Sequence, residues 1–361
     1  MNAKVAVLKT TPSTVLDDYG RLMRLADYQV SLPKDRVTAL KVNISWQLFY
    51  PACSSTPWQL DGVIKTLLED GFSKEKLYAY HNRTVVVSAK KGEVANKHKK
   101  VVVDKYGLRN VHLYEPDEQW TRYEPRQKML VLDQIFPEGI YIPKRMIGEN
   151  ILHLPTMKTH VFTTITGAMK NAFGGLLHEK RHWTHSVIHE TLVDLLVIQK
   201  EIHSGIFAVT DGTFSGDGPG PRCMVPHVTN YILASADQVA IDAVAAKMMG
   251  FDPLSIKFIR LAHEKDLGCG DPRAIKVVGQ DISTVNFRFN GHQDTVASRG
   301  QKLIYWGPLK PLENLLLRTF LVPWSYAASR LYHDVYWYNF VGRKRIRRAL
   351  DTDWGKLFLQ Y

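Results

Sequence analysis

Residues 151–177, ILHLPTMKTHVFTTITGAMKNAFGGLL, decide how the chain is read. Asn150–Leu154 is apolar, short and closed by Pro155, which predicts a buried strand. Beyond the proline, Lys158 and His160 are two residues apart, so in extended chain they face the same way. A short loop then reaches Thr166–Asn171, which reads as a helix start. Thr166 is a candidate cap, and Gly167 lets a ligand approach the backbone closely. Free N–H groups, the positive end of the helix dipole and the charges of Lys158 and Lys170 would together hold an anion. Lys158, Thr166, Gly167 and Asn171 are therefore candidate substrate-binding residues, and His160 and Lys170 candidate catalytic ones.

Outward from this stretch, β-branched runs alternate with amphipathic ones. Strands are predicted at Lys4–Leu8, Thr38–Ile44, Lys76–Tyr80, Val111–Tyr114, Met129–Asp133, Ile206–Thr210 and Val228–Leu233. Helices are predicted at Leu16–Val30, Trp58–Asp70, Gly92–Tyr106, Ser186–His203 and Asp237–Met249. Such alternation predicts an α/β fold, a mainly parallel sheet with helices on both faces. In sheets of this kind ligands sit beyond the carboxyl ends of the strands. Lys41 and Asn43 alternate on one predicted strand and join the candidate substrate-binding set. Pro116–Gln127 reads as a polar loop.

Three further clusters carry chemistry. The run DGTFSGDGPGP, Asp211–Pro221, reads as a shaped, glycine-rich loop after a strand, which makes Asp211 a candidate catalytic residue and Gly212 a substrate-binding one. It matches neither GxGxxG nor a P-loop. Asp237 and Ser235 are candidate caps for the next helix. Asp242 lies among apolar residues inside it, so it is either paired with a base or holds a raised pKa suited to proton transfer. His178, His182, His185 and His189 would form one stripe on a continuous helix, and His182, His185 and His189 are then candidate ligands for a divalent metal. Gly174-Gly175 and the Lys180–Trp183 mix equally suit a loop. HExxH is absent, because position 193 is Val.

The whole chain has 361 residues, with hydrophobic residues at 45%, charged residues at 23% and a net charge of +12. This excludes general disorder and suits an acidic partner: a small anionic or lipid-linked substrate, an anionic membrane surface or nucleic acid. Cys53, Cys223 and Cys269 are scattered with no CxxC pair, which argues against a disulfide scaffold or a Cys-only metal site and fits a reducing cytoplasm. No signal-peptide run or spanning stretch is read; the best apolar candidate, Thr319–Ser329, is short and contains Pro323. Residues 301–361 hold ten of the 47 Lys/Arg, four acids and thirteen aromatics. That shift divides a body, 1–300, from an aromatic and basic extension. Apolar residues from Leu315 through Phe320, Leu321, Trp324, Leu331 and Trp337 to Val341, followed by the basic run 342–348, read as an arm. It packs on the body or a second subunit, or docks on a membrane; nucleic acid is disfavoured.

The motif order resembles domain-of-unknown-function family 362, whose members are often labelled uncharacterised iron–sulfur centre proteins. The resemblance rests on Pro155, Lys158, His160, Thr166–Ala168, Lys170, Asn171 and Gly174, then Asp211–Gly212, then Asp237, Ala240, Asp242 and Ala243, with Lys41–Asn43 upstream. Many members carry a cysteine-rich ferredoxin module, and no CxxCxxCxxxCP run occurs here, so no bound iron–sulfur cluster is expected. The resemblance implies a reductase or other redox-linked step, with electrons from a donor protein or diffusible cofactor. A lyase or isomerase and a non-catalytic metal- or ligand-binding protein are the alternatives.

Overall fold

The computed structural model describes residues 3–82, 84, 86–291, 293–319 and 327–361, and within these the side chains of 179 and 318 are left aside. Twelve strands are found there. β1 (Lys4–Lys9), β2 (Thr38–Val42), β3 (Leu77–His81), β4 (Arg109–His112), β7 (Asn150–Leu154), β10 (Gly205–Asp217), β11 (Val225–Ser235) and β12 (Lys276–Gly279) form the main sheet. Its order is β12-β1-β11-β10-β7-β2-β3-β4, with β8 (Thr156–His160) on β10 and β9 (Thr164–Ile165) on β8. β10, β7, β2, β3 and β4 run parallel, and β11 is antiparallel to both β10 and β1. β5 (Trp120–Tyr123) and β6 (Ile140–Pro143) make a separate pair. The expected α/β fold with a mainly parallel sheet is found.

Alternation along the strands sends side chains to two cores. Val5, Val7, Ile151 and Ala208 face one, covered by the helices Ile188–Ile202 and Gln238–Met249. Ala6, Leu8, Leu152 and Phe207 face the other, beneath the helices Val15–Leu25 and Pro57–Glu69. Because both faces are covered, these strands read as nearly continuous apolar runs rather than as alternating ones.

Several local expectations are overturned. Residues 129–133 are not a strand; a short helix, Leu132–Ile135, begins there, its N-terminal N–H groups taken by the Asp194 carboxylate. The predicted helix over 92–106 breaks into Ala89–Ala95 and a separate wide turn, Lys100–Lys105. The polar loop 116–127 contains β5. The glycine-rich segment from Asp211 is strand as far as Asp217, because β11 lies antiparallel along it.

The C-terminal arm packs on the body. Its wide helix Leu331–Gly342 buries His333 and Trp337, and the Trp337 ring lies 6.0 Å from Trp46. Asp334 accepts the Trp46 indole N–H at 2.6 Å and the Gln47 amide at 2.7 Å. The helices Arg343–Leu350 and Asp353–Gln360 follow. Phe358 stacks on Phe49 at 3.9 Å, and the Trp354 indole donates to Asn230 at 2.6 Å. Phe320, Leu321 and Trp324, which the sequence placed in this arm, lie outside the described residues.

Candidate functional site

The parallel strands β2, β3 and β7 deliver their carboxyl ends to one place. Lys41 is the penultimate residue of β2, and His81 closes β3. β7 turns through Pro155 into β8, which carries Lys158 and His160 on one face, as their spacing requires. A cavity of about 130 Å³ opens there. Lys41, Asn43, His160, Thr166, Lys170 and Asn171 all line it, together with Ser45, His81 and Asn82. Its described lining contains no carboxylate.

Three lysines dominate the electrostatics. Lys41 and Lys158 are buried, and Lys170 is partly accessible through the cavity. Lys158 stands just behind the wall, donating to the Cys53 carbonyl at 2.5 Å and the Ser45 hydroxyl at 3.1 Å. Lys41 donates to the Val42 carbonyl at 2.6 Å. None of the three has a carboxylate partner among the described residues. Burial lowers the Lys41 ammonium to about 7, helped by the positive charge of Arg181. Burial brings Lys170 to about 7, with Lys158 and Arg181 adding repulsion, and Lys158 to about 8. Desolvated cations without counter-ions are costly, and an anion in the cavity would relieve that cost.

His160 accepts the Phe162 N–H at Nδ1, at 3.1 Å, which leaves its proton on Nε2. Burial, followed by the charge of Lys170, keeps the ring neutral far below the usual histidine range. Asn171 donates to the Lys41 carbonyl at 2.9 Å and so ties the short helix Gly167–Asn171 to β2.

Thr166 does not cap that helix. The Asp242 carboxylate does so from the neighbouring helix, accepting the Ala168 N–H at 2.6 Å and the Met169 N–H at 3.0 Å. The acceptor for this helix start is therefore supplied by the protein's own carboxyl group. Gly167 is required because its φ is +85° and a Cβ would run into the Asp242 carboxylate. Burial raises the Asp242 pKa to about 8, but Asp242 holds the helix and does not line the cavity. Freed from capping, the buried Thr166 hydroxyl has no hydrogen-bond partner among the described residues and borders the cavity. Asp237 caps the other helix, as one of the two expected alternatives.

Asp211 lies elsewhere. Its carboxylate accepts from the Tyr19, Thr56 and Thr213 hydroxyls at 2.8, 2.5 and 2.7 Å. The Trp58 indole and the Thr213 N–H add bonds at 3.0 and 2.8 Å. A carboxylate so fully engaged joins two helices to β10. Gly212 pairs with Tyr231 of β11, and neither residue lines the cavity.

The histidine stripe is not one helix. Residues 179–187 wind as a tighter 3₁₀ segment, and the α-helix begins at Ile188. His185 gives its Nδ1 to the His182 carbonyl at 2.8 Å and stacks on Tyr305. Burial holds His185 at about 3 and His189 at about 4. Among the described residues no group of three or more His, Cys, Asp or Glu is placed to hold a metal ion.

Sequence reasoning passed over His81, Asn82 and Arg181. His81 ends β3 and Asn82 follows it, so the carboxyl-end rule could have found both. Arg181 has no such local signal. A second cavity of about 500 Å³ adjoins, walled by Trp120, Phe136, Tyr141, Leu177, Lys180 and Trp183. Asn82, in the first cavity, donates at 2.9 Å to the carbonyl of Leu177, which lines the second.

Residues 38–247, more than half of the chain, match the family described as a domain of unknown function, DUF362, and the chain belongs to that family. A thylakoid-associated protein of Synechocystis is 26% identical over 126 residues, 34% of this chain and 39% of that protein. The match thus spans about two fifths of that relative's length. Among the described residues no helix is long and apolar enough to cross a membrane.

Proposed function

We propose that the chain is an enzyme acting on a small or lipid-linked anionic substrate, whose anionic group enters the lysine-lined cavity. The observation that carries this reading is the gathering of Lys41, Lys158 and Lys170 beside a cavity whose described lining has no carboxylate. At about 130 Å³ the cavity suits a head group only, since sites for whole drug-sized ligands are roughly 300–1,000 Å³. The adjoining aromatic cleft is large enough for the rest of the molecule. Lys41 and Lys170, with pKa values near 7, can give or take a proton at neutral pH, and the His160 Nε2–H can donate to a bound oxyanion. A redox-linked step, with electrons from a donor protein or diffusible cofactor, is the reaction class suggested by the family's frequent iron–sulfur labelling. The thylakoid association of the relative fits work at a membrane surface.

Calorimetric titration with sulfate, phosphate and pyrophosphate tests the anion site. Wild type is expected to bind at least one of them, and Lys41→Met with Lys170→Met to weaken binding at least tenfold. Equal affinity in the wild type and the double variant would sink the reading.

A further inference from the structure

The C-terminal arm presents a second face that the body leaves uncovered. In the wide helix Leu331–Gly342, i→i+5 bonding brings residues four and five apart to the same side. His333 and Trp337 take the inner side. Leu331, Val335, Tyr336 and Phe340 take the outer one and are 64%, 55%, 57% and 75% exposed. The Tyr336 and Phe340 rings lie 5.5 Å apart, so the apolar surface is continuous.

The next helix, Arg343–Leu350, carries the stripe on in a different chemistry. Arg343, Lys344, Arg347 and Arg348 are exposed, and none has an ion-pair partner among the described residues. Single exposed apolar residues are ordinary, but four on one stripe, running directly into four unpaired bases, are not. Aliphatic and aromatic side chains beside Lys and Arg match the boundary between acyl chains and anionic headgroups. Nucleic acid fits less well, since Leu331 and Val335 offer no ring on which a base can stack.

We propose that the face formed by Leu331, Val335, Tyr336 and Phe340, continued by Arg343, Lys344, Arg347 and Arg348, seats the protein on an anionic lipid surface. The apolar residues enter the headgroup boundary, and the four bases meet the lipid phosphates. The proposal stands apart from the anion site, because no residue of this face lines that cavity.

Co-sedimentation of the full chain with vesicles tests it, using phosphatidylcholine alone or mixed with phosphatidylglycerol. Binding is expected to the mixed vesicles, at least tenfold tighter than to the neutral ones and weakened by salt. Tyr336→Glu with Phe340→Glu should lower binding at least tenfold. Lys344→Glu with Arg347→Glu and Arg348→Glu should lower it roughly 100-fold, at about fivefold per base. Val30→Glu, at an 85% exposed apolar site on another helix, should change nothing. All substituted positions are exposed, and circular dichroism melts would verify that each variant is folded. Failure of the wild type to bind the mixed vesicles overturns the proposal, as does binding that survives both sets of substitutions. Loss of oligouridylate binding in the same variants, without vesicle binding, would assign the face to nucleic acid instead. A dimer that dissociates on Phe340→Glu, again without vesicle binding, would assign it to a second copy.

Discussion

Asp211 and the lysine group are both buried charge, yet they are built in opposite ways. Asp211 has five donors on its two oxygens, and the strands and helices around it are tied together through them. The lysines reach only carbonyl and hydroxyl oxygens, and Lys170 makes no hydrogen bond or ion pair among the described residues. Burial raises the Asp211 pKa, yet the donors around it would be stranded without its carboxyl group, so the fold depends on it. A charge left short of a counter-ion keeps an uncompensated desolvation cost, which a bound anion would lower.

The sharpest way to break this contrast is substitution on each side. Asp211→Ala should strand four buried donors, the Trp58 indole keeping the Thr213 hydroxyl, and cost about 3–5 kcal/mol, seen as a lower urea midpoint. Lys41→Met should do the reverse, raising stability by on the order of 1 kcal/mol or more while sulfate binding is lost. An Asp211→Ala protein as stable as wild type would erase the distinction.

The pH dependence sharpens it further. Above pH 7 the folded chain releases protons from Lys41 and Lys170, and above 8 from Lys158, while the unfolded chain keeps them to about 10.4. The unfolded state then binds more protons, so stability should rise from pH 7 towards 10. Asp242 acts with the opposite sign. Its folded form holds a proton up to about 8 that the unfolded chain gives up near 4, so alone it would lower stability as pH rises across that window. His185 and His189, held at about 3 and 4, have already released protons that the unfolded chain keeps to about 6.5, and with His160 they outweigh Asp242 below neutrality. Thermal melts should therefore climb with pH through both windows, and sulfate, by binding the charged lysines, should flatten the climb above pH 7. A flat profile above pH 7, unchanged by sulfate, would contradict the lysine shifts.

The smallest effect is expected where the site only borders the histidines. His185→Phe keeps a ring against Tyr305 and should change stability by less than about 1.5 kcal/mol. Zinc uptake, measured by metal analysis, should be the same in the variant and the wild type. A drop would show that His185 takes part in metal binding.

Much of the site was legible before folding was considered. Lys158 and His160 two apart, Thr166–Asn171 after them and Lys41 near the end of a strand are local patterns, and the carboxyl-end rule places them on one edge. The errors share one origin. Thr166 has the right residue type for a cap, but a carboxylate from 76 positions further along reaches the helix first, which no local rule can anticipate. The histidine spacing assumed a continuous α-helix, and a 3₁₀ segment changed which rings share a side. Asp211 follows a strand-to-loop pattern, yet β11 extends that strand and Tyr19, Thr56 and Trp58 enclose the carboxylate.

By itself the sequence determined the α/β class, the places of most main strands along the chain and the polar residues carried to one edge of the sheet. These follow from periodicity, proline and glycine punctuation and side-chain chemistry, all properties of neighbours along the chain. Tertiary structure decided which charges stay without counter-ions, which carboxylate caps which helix and which face of the aromatic arm is left to solvent. Those outcomes depend on burial and on partners far apart in sequence, and desolvation arises only when such groups are brought together.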